Sequence, residues 1–405
     1  MAKMQYGRTG EYPLDGSENV EGERLDEYRE GVFYRRGPLD MPFLVLTLVI
    51  LAIGVIMVLS ASFARAYYSY GNPTKYFVKQ LIFAVTGVAL MFVASNVSVK
   101  TLRRFSMLVL LASVAMLVLV LLIGSSEGGG KRWINLGVTT FQPSEIAKLG
   151  VVMAFAQMIC AFKDRMKTFR YGILPFAVIL VVIAALLLLE PHVSATIIIV
   201  ALGAIMLFAG GVRLIWFAIG GGVSIAAAYV VITQMGHTMR RINAWRDPFS
   251  DVQGAGWQIV QSLYAIGSGG VLGLGIGQGR QKYLYLPEEH NDFIFSVVCE
   301  ELGFIGALLI LALFALLIIR GYWLALHARD RYGSLVIIGL TSLLAIQVFL
   351  NVAVVTNLIP CTGISLPFFS YGGTALWMQL VEMGIILSIS RDIPLKVKKP
   401  KGEET

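Results

Sequence analysis

The sequence predicts an all-α fold, a polytopic membrane protein of about ten transmembrane helices with a large extracytoplasmic loop between spans 7 and 8. Three observations carry that expectation. The 405 residues are 57% hydrophobic and only 14% charged, with a mean hydropathy of +0.74, too apolar for a water-soluble globule. The apolar stretches are about twenty residues long, enough to cross ~30 Å of hydrocarbon as helices. They are also continuous, whereas a transmembrane β-barrel would show alternating segments of about ten residues.

Runs at 42–62, 75–95, 103–123, 142–161, 171–189, 193–211, 213–234, 293–319, 333–356 and 368–390 are the expected spans. The first forty residues are polar before any apolar run begins, so no cleavable signal peptide is expected and the first span is retained. Nine acidic and six basic residues before Met41 predict a solvated, disordered arm over 1–40, ahead of a transmembrane domain over 41–392 and a basic tail over 393–405. Connectors after spans 2, 4, 6 and 8 contain Lys100–Arg104, Lys163–Arg170, Arg213 and Arg320–Arg331; with the termini they hold 22 of the 33 lysines and arginines. Basic residues are retained on the cytoplasmic side, so both termini are expected there. The formal charge of +8 then reflects topology and anionic lipid headgroups, not nucleic acid. Cys160, Cys299 and Cys361 lie far apart without ligand spacing, so neither a disulfide framework nor a zinc site is expected.

Two extracytoplasmic loops are long enough to carry function, Gly124–Phe141 and 235–292. The longer is amphipathic, with Trp245, Trp257, Tyr264, Tyr283 and Tyr285 among Arg240, Arg241, Arg246, Arg280 and Lys282. It is expected at the interface, helical between Gly256 and Ile266. Its glycines from 267 to 279 lack the preceding strand and following acidic residue of a dinucleotide site. They permit either a re-entrant, tightly packed loop or simple flexibility. No internal repeat of the inverted-repeat transporter kind is visible.

Chemistry is expected where the long loop ends. Leu286-Pro287-Glu288-Glu289-His290-Asn291-Asp292-Phe293 sets three carboxylates and a histidine against an apolar run, where ionisable groups are costly to desolvate. In the other loop, Lys131-Arg132-Trp133 precedes Gln142-Pro143-Ser144-Glu145-Ile146-Ala147-Lys148. Pro143 suits a first helical turn, and Glu145 and Lys148 share one helix face. They are either a neutralised packing pair or a cationic contact for a lipid-linked phosphate; Arg132 and Trp133 are either that contact or interfacial anchors. Glu190-Pro191-His192 reads as a structural turn. Pro360 to Thr374 places proline and glycine at membrane depth, where freed backbone groups survive only inside protein or beside a wet cavity, so the segment is expected to line the same cavity as Asp292.

The motifs KRWINLG, FQPSEIAK, RRINAWRDPF, GWQIVQSLYAIGSGGVLGLGIGQGRQKYLYLPEEHNDFIF, EELGFIG and PCTGISLPFFSYGGT resemble those of the SEDS family (shape, elongation, division and sporulation) over all ten spans, with wording closer to its FtsW-like and sporulation branch than to RodA. The resemblance implies a peptidoglycan glycosyltransferase of the bacterial cytoplasmic membrane, working at the division septum. It would polymerise lipid II, an undecaprenyl-linked sugar, at the outer leaflet with a cognate class B penicillin-binding protein and other division proteins. It places the catalytic aspartate at Asp292 and the fourth-span lysine at Lys148. Where relatives carry Asp-Leu-Gly this chain has His192-Val193-Ser194, and Thr140 stands where some carry a basic residue, so neither an acidic role at that turn nor a phosphate role at Thr140 is carried over.

Glycan polymerisation needs a hydroxyl deprotonated as it attacks an anomeric carbon while pyrophosphate leaves. Asp292 suits the base, since partial desolvation raises a carboxylate's pKa toward working pH. Lys148, Arg132, Arg241 or a divalent cation (Mg²⁺ or Mn²⁺) would stabilise the leaving charge. Trp133, Glu145, Glu288 and Ser370 complete the expected substrate site, with Glu288 and Glu289 expected to remain solvated. The competing classes are a lipid II flippase and a non-catalytic septal scaffold.

Overall fold

The computed structural model describes residues 37–127, 130–135, 137, 140–234 and 236–393. The expected arm, but for its last residues, and all but the first residue of the expected tail lie outside the described residues. The unit beginning at Leu39 contains every helix and strand of the described residues.

Ten helices follow the apolar runs: α1 (Met41–Tyr70), α2 (Lys75–Ala94), α3 (Val99–Ile123), α4 (Pro143–Phe162), then, after the one-turn α5 (Phe169–Gly172), α6 (Leu174–Leu189), α7 (Val193–Ala209) and α8 (Leu214–Gln234). Two helices of the long loop, α9 (Gly236–Arg246) and α10 (Trp257–Gly269), precede α11 (Ile294–His327), α12 (Arg331–Val355) and α13 (Gly373–Ser390). Among the described residues eight helices are long and apolar enough to cross a membrane; α7 and the apolar part of α8 are shorter apolar helices. Side-chain caps fix several starts: Asp40 accepts from Phe43 N at 3.0 Å, Ser98 from Thr101 N at 3.1 Å. Pro143 opens α4, where its missing N–H costs nothing.

Buried α4, α12 and α13 form the centre of the bundle, and α2, α3 and α6 present broad apolar faces outward. Most of α8 is exposed, and it packs mainly on α9. Three boundaries depart from expectation. α1 continues to Tyr70 and α11 to His327, beyond 62 and 319, while α13 starts at Gly373, after a non-helical stretch from Asn357. The loop after α3 also holds a three-stranded antiparallel sheet, β1 (Ser125–Glu127), β2 (Gly130–Asn135) and β3 (Thr140–Phe141). β1 and β3 carry too few residues to show period two, and Gly130–Asn135 does not alternate apolar with polar residues.

The glycine-rich segment forms a re-entrant hairpin. α10 packs along α11, and the chain turns back at Gly270–Gly277 beside Gly303, about 13 Å along α11 from Ile294 at 1.5 Å per residue. There α11 breaks: Gly303 has φ 68° and ψ −171°, a conformation that disfavours any side chain. The break frees backbone groups that the hairpin takes up, with Phe304 N donating to Gly270 O at 2.9 Å and Leu274 N to Glu300 O at 3.0 Å. Such reciprocal pairing is what irregular backbone at membrane depth requires. The returning limb is pinned by two carboxylates of α11. Glu300 Oε1 accepts from Arg280 N at 2.8 Å, and Glu301 Oε1 meets Lys282 Nζ at 2.6 Å, with Ser60 Oγ of α1 bonded to both partners of that ion pair.

Candidate active site

One cavity of about 2320 Å³ opens at the end of the bundle where the long loop lies, larger than the ~300–1,000 Å³ of ordinary ligand pockets. Its polar end is walled by Arg132, Trp133, Arg241, Glu288 and Asp292, with Glu145 and Lys148 of α4 and the segment Pro360–Ser365. The rest is an apolar trough between α6, α7 and α8, running from Leu188 and Ile197 to Trp216 and Phe217. All eight expected site residues, Ser370 included, line this one space.

Asp292 is presented by a tight turn. Glu288 adopts φ 55° and its carbonyl accepts from Asn291 N at 3.0 Å and Phe293 N at 3.2 Å, while its carboxylate takes Asn291 Nδ2 at 2.5 Å. Asn351 of α12 fixes the turn from below, donating to Asp292 O at 2.7 Å and Ile364 O at 2.6 Å. The facing loop leaves room for the carboxylate at Gly363, where φ is 66° and a Cβ would stand 3.0 Å from Asp292 Oδ2. Burial, and then the negative Glu288, push the Asp292 carboxyl up to about 6, against the pull of Arg241 and Arg132.

Glu289 does not remain solvated. Its carboxylate is fully buried and chelated by Arg65 of α1 through Nε at 2.6 Å and Nη2 at 2.8 Å. Burial works against its ionised form, but Arg65 and the nearby His290 hold it below the usual carboxylate range. His290 Nδ1 lies 3.6 Å from Oε1, too long for a hydrogen bond, so the guanidinium is the effective partner. Glu288 is exposed.

Arg132, on β2, reaches across to the α6–α7 turn, its Nη2 donating to Pro191 O at 2.6 Å and its Nε to Glu190 O at 3.4 Å. Burial pushes the Glu190 carboxyl up to about 7 and, with Arg132 and Lys148, the His192 imidazole down to about 3. His192 is therefore a neutral wall residue. Arg241, on α9, is exposed and donates to Cys361 O at 3.2 Å. Lys148 pairs with Glu145 at 2.7 Å on a buried helix face, and buried Glu382 of α13 faces the same pair. The hydroxyl of Ser370 is committed within the protein, donating to Asn291 O at 2.8 Å and accepting from Leu366 N at 2.7 Å. It joins the two loops that frame Asp292, which is a positioning task.

A family model described as "Cell cycle protein", FTSW_RODA_SPOVE, matches residues 40–393. The chain belongs to this family. Stage V sporulation protein E of Bacillus subtilis (strain 168) is 40% identical to it over 354 residues, 87% of this chain and 97% of that protein. A "Probable peptidoglycan glycosyltransferase FtsW" of Trichlorobacter lovleyi is 38% identical over 364 residues, 89% of this chain and 96% of that one. Among solved structures, one titled "Structural coordination of polymerization and crosslinking by a peptidoglycan synthase complex" superposes with TM-score 0.72 at 27% identity, covering 88% of this chain and 98% of that chain. RodA of Thermus thermophilus gives 0.65 at 26%, covering 89% and 99%. For this FtsW/RodA/SpoVE family member, sequence reasoning missed Lys79, Gln258 and Gln347 as cavity residues. Each is an ordinary polar residue whose neighbours come from distant segments, so no local pattern marks it.

Proposed function

We propose that this chain is a peptidoglycan glycosyltransferase that polymerises lipid II at the outer leaflet of the bacterial cytoplasmic membrane, with Asp292 as general base. The observation that carries this reading is the cavity's division into a charged mouth holding Asp292 and an apolar trough, matching an amino sugar on a pyrophosphate with a polyprenyl tail. The acceptor sugar's hydroxyl gives its proton to Asp292 as its oxygen bonds to the donor's anomeric carbon, and the bond from that carbon to pyrophosphate breaks. A carboxyl near 6 is ionised at neutral pH yet basic enough to take that proton. Arg132 of β2 and Arg241 of α9, both lining the mouth, meet the leaving pyrophosphate. Lys148, already shared with Glu145, contributes charge from deeper in the wall.

The donor set does not build a protein-only cation site: among the described residues no three His, Cys, Asp or Glu side chains converge to hold a metal. A Mg²⁺ or Mn²⁺ ion would have to enter on the substrate's pyrophosphate. The relatives named as glycosyltransferases and the synthase-complex structure support both the activity and a class B penicillin-binding protein as partner. Action at the division septum with other division proteins, and cytoplasmic termini, complete the reading. A flippase fits less well, because the trough walls at 173–188 and 197–225 present no charged side chain to a pyrophosphate in transit.

The test uses purified chain with its transpeptidase and labelled lipid II. Asp292→Asn should lower polymerisation by about 10²–10⁴-fold, the usual contribution of a positioned base, with partner binding intact. Wild-type polymer from that variant would refute the assignment, and a wild-type chain that binds its partner but makes no polymer would leave the scaffold.

A further inference from the structure

We infer that a row of tyrosine rings leading out of the cavity, Tyr371, Tyr76 and Tyr70, is a binding track for the nascent glycan strand, an inference that rests on the polymerase reading. Tyr371 lines the cavity on the loop before α13, and its backbone N–H is bonded to His290 O at 2.8 Å, two residues from Asp292. Tyr76, in the first turn of α2, meets the Tyr371 ring edge-on at 5.0 Å. Tyr70, the last residue of α1, meets Tyr76 edge-on at 5.9 Å. The rings thus continue from the cavity wall to the surface without a gap.

Tyr70 is the exposed end of this row. Half of its surface is open, at 51%, yet it is held in place: the ammonium of Lys75 sits 3.1 Å from its ring centroid, a cation–π contact on one face, and Tyr76 occupies an edge. What stays open is a fixed aromatic surface with a polar tip. Pyranose rings have apolar C–H faces bordered by hydroxyls and acetamido groups, and rigid aromatic rings bind such surfaces at little conformational cost. Lys79, one turn beyond Lys75 on α2, also lines the cavity. The two ammonium groups give the track a charge suited to the carboxylates that peptidoglycan sugars carry. A polymerising enzyme must hold its product between additions or release it short.

Interfacial tyrosine also anchors helices to bilayers, so the test separates the two. Full-length chain with its transpeptidase is reconstituted in vesicles with labelled lipid II, and product length and initial rate of substrate consumption are read together. Tyr70→Ala should shorten strands by about threefold, the loss of about 0.7 kcal/mol of product affinity, with the initial rate within about twofold. Tyr70→Trp should keep wild-type length. Tyr70→Leu, which keeps apolar bulk for a bilayer but no aromatic face, should shorten strands like Tyr70→Ala. If Tyr70→Leu instead makes wild-type strands, the ring is an anchor and the track is refuted; unchanged length in all three variants refutes it equally. As a measurement without turnover, saturation transfer from the Asp292→Asn protein to a tetrasaccharide of alternating N-acetylated amino sugars should be lost on adding Tyr70→Ala, and transfer that survives counts against the track. Failure of the polymerase reading would look different, as polymer made by Asp292→Asn whatever stands at position 70.

Discussion

Two buried lysine–glutamate pairs in this protein are nearly identical as pairs and opposite in setting. Lys148–Glu145 closes at 2.7 Å and Lys282–Glu301 at 2.6 Å, and both lysines are almost wholly buried. The first lies within one turn of α4, borders the large cavity and is faced by Glu382. The second joins the returning limb of the re-entrant hairpin to α11, is closed off by Ser60, and takes no part in the wall of that cavity. A buried ion pair by itself says little about stability or function. Its surroundings decide: one pair can be reached by water and ligand, and the other is a clasp holding irregular backbone at membrane depth.

The largest effect expected from breaking this contrast is on the clasp. Lys282→Met leaves Glu301 buried without its cation, and removing one partner of such a pair costs about 3–5 kcal/mol. Thermal unfolding in detergent should show a large loss of stability. Lys282→Met with Glu301→Leu should recover most of it, since an apolar pair of similar volume is often neutral. A single variant as stable as wild type would mean that the clasp does not hold the hairpin. Lys148→Met should behave in the reverse way. Glu145 can then be hydrated from the cavity, so stability changes little while polymerisation falls by about 10²-fold, the cost of removing one donor from a charge-stabilising site. An equal loss of stability in the two lysine variants would erase the distinction.

The contrast also marks what the sequence made legible. Glu145 and Lys148 could be paired by inspection because three residues along a helix bring side chains together. Lys282 and Glu301 stand on two segments whose meeting depends on the break at Gly303, and Arg65 lies 224 positions from Glu289; no local period encodes either. The ten helical runs were visible because hydrocarbon demands a composition and a length, which also explains why their ends were misjudged where α1 and α11 continue past that length. Asp292 was legible as a charge at a membrane boundary. Ser370 and Gly363 were legible as lining its cavity, but the way they and Asn351 place it was not, because they act through backbone contacts made by the fold.

Gly363 is the smaller lever on that placement. Alanine there must adopt φ 66° and bring Cβ to 3.0 Å from Asp292 Oδ2. The backbone cost is about 1 kcal/mol, within what the bundle tolerates, but the carboxylate must turn away from the cavity. Gly363→Ala should therefore lower kcat more than it lowers the unfolding temperature. A variant with a wild-type kcat would show that the carboxylate does not need the space that Gly363 leaves.

The finest test is the pH at which Asp292 becomes a base. With the carboxyl raised from 3.8 to about 6, the proton is retained below that pH, and the rate should fall about tenfold per unit there and level off above it. Glu288 contributes to the rise and Arg241 opposes it, so Glu288→Gln should move the midpoint to lower pH and Arg241→Gln to higher. Stability has the opposite pH sense. Between 3.8 and 6 the folded chain binds this proton more tightly than the unfolded chain, so stability is lost as pH rises through that window. Asp292→Asn carries no such charge, and it should melt above wild type at neutral pH but not at about pH 3, below the window. A neutral-pH melting temperature unchanged by that substitution, with a midpoint indifferent to both Glu288 and Arg241, would mean that the turn holds an ordinary solvated aspartate. The polar mouth would then resemble the Lys282 clasp, a set of charges kept for structure alone.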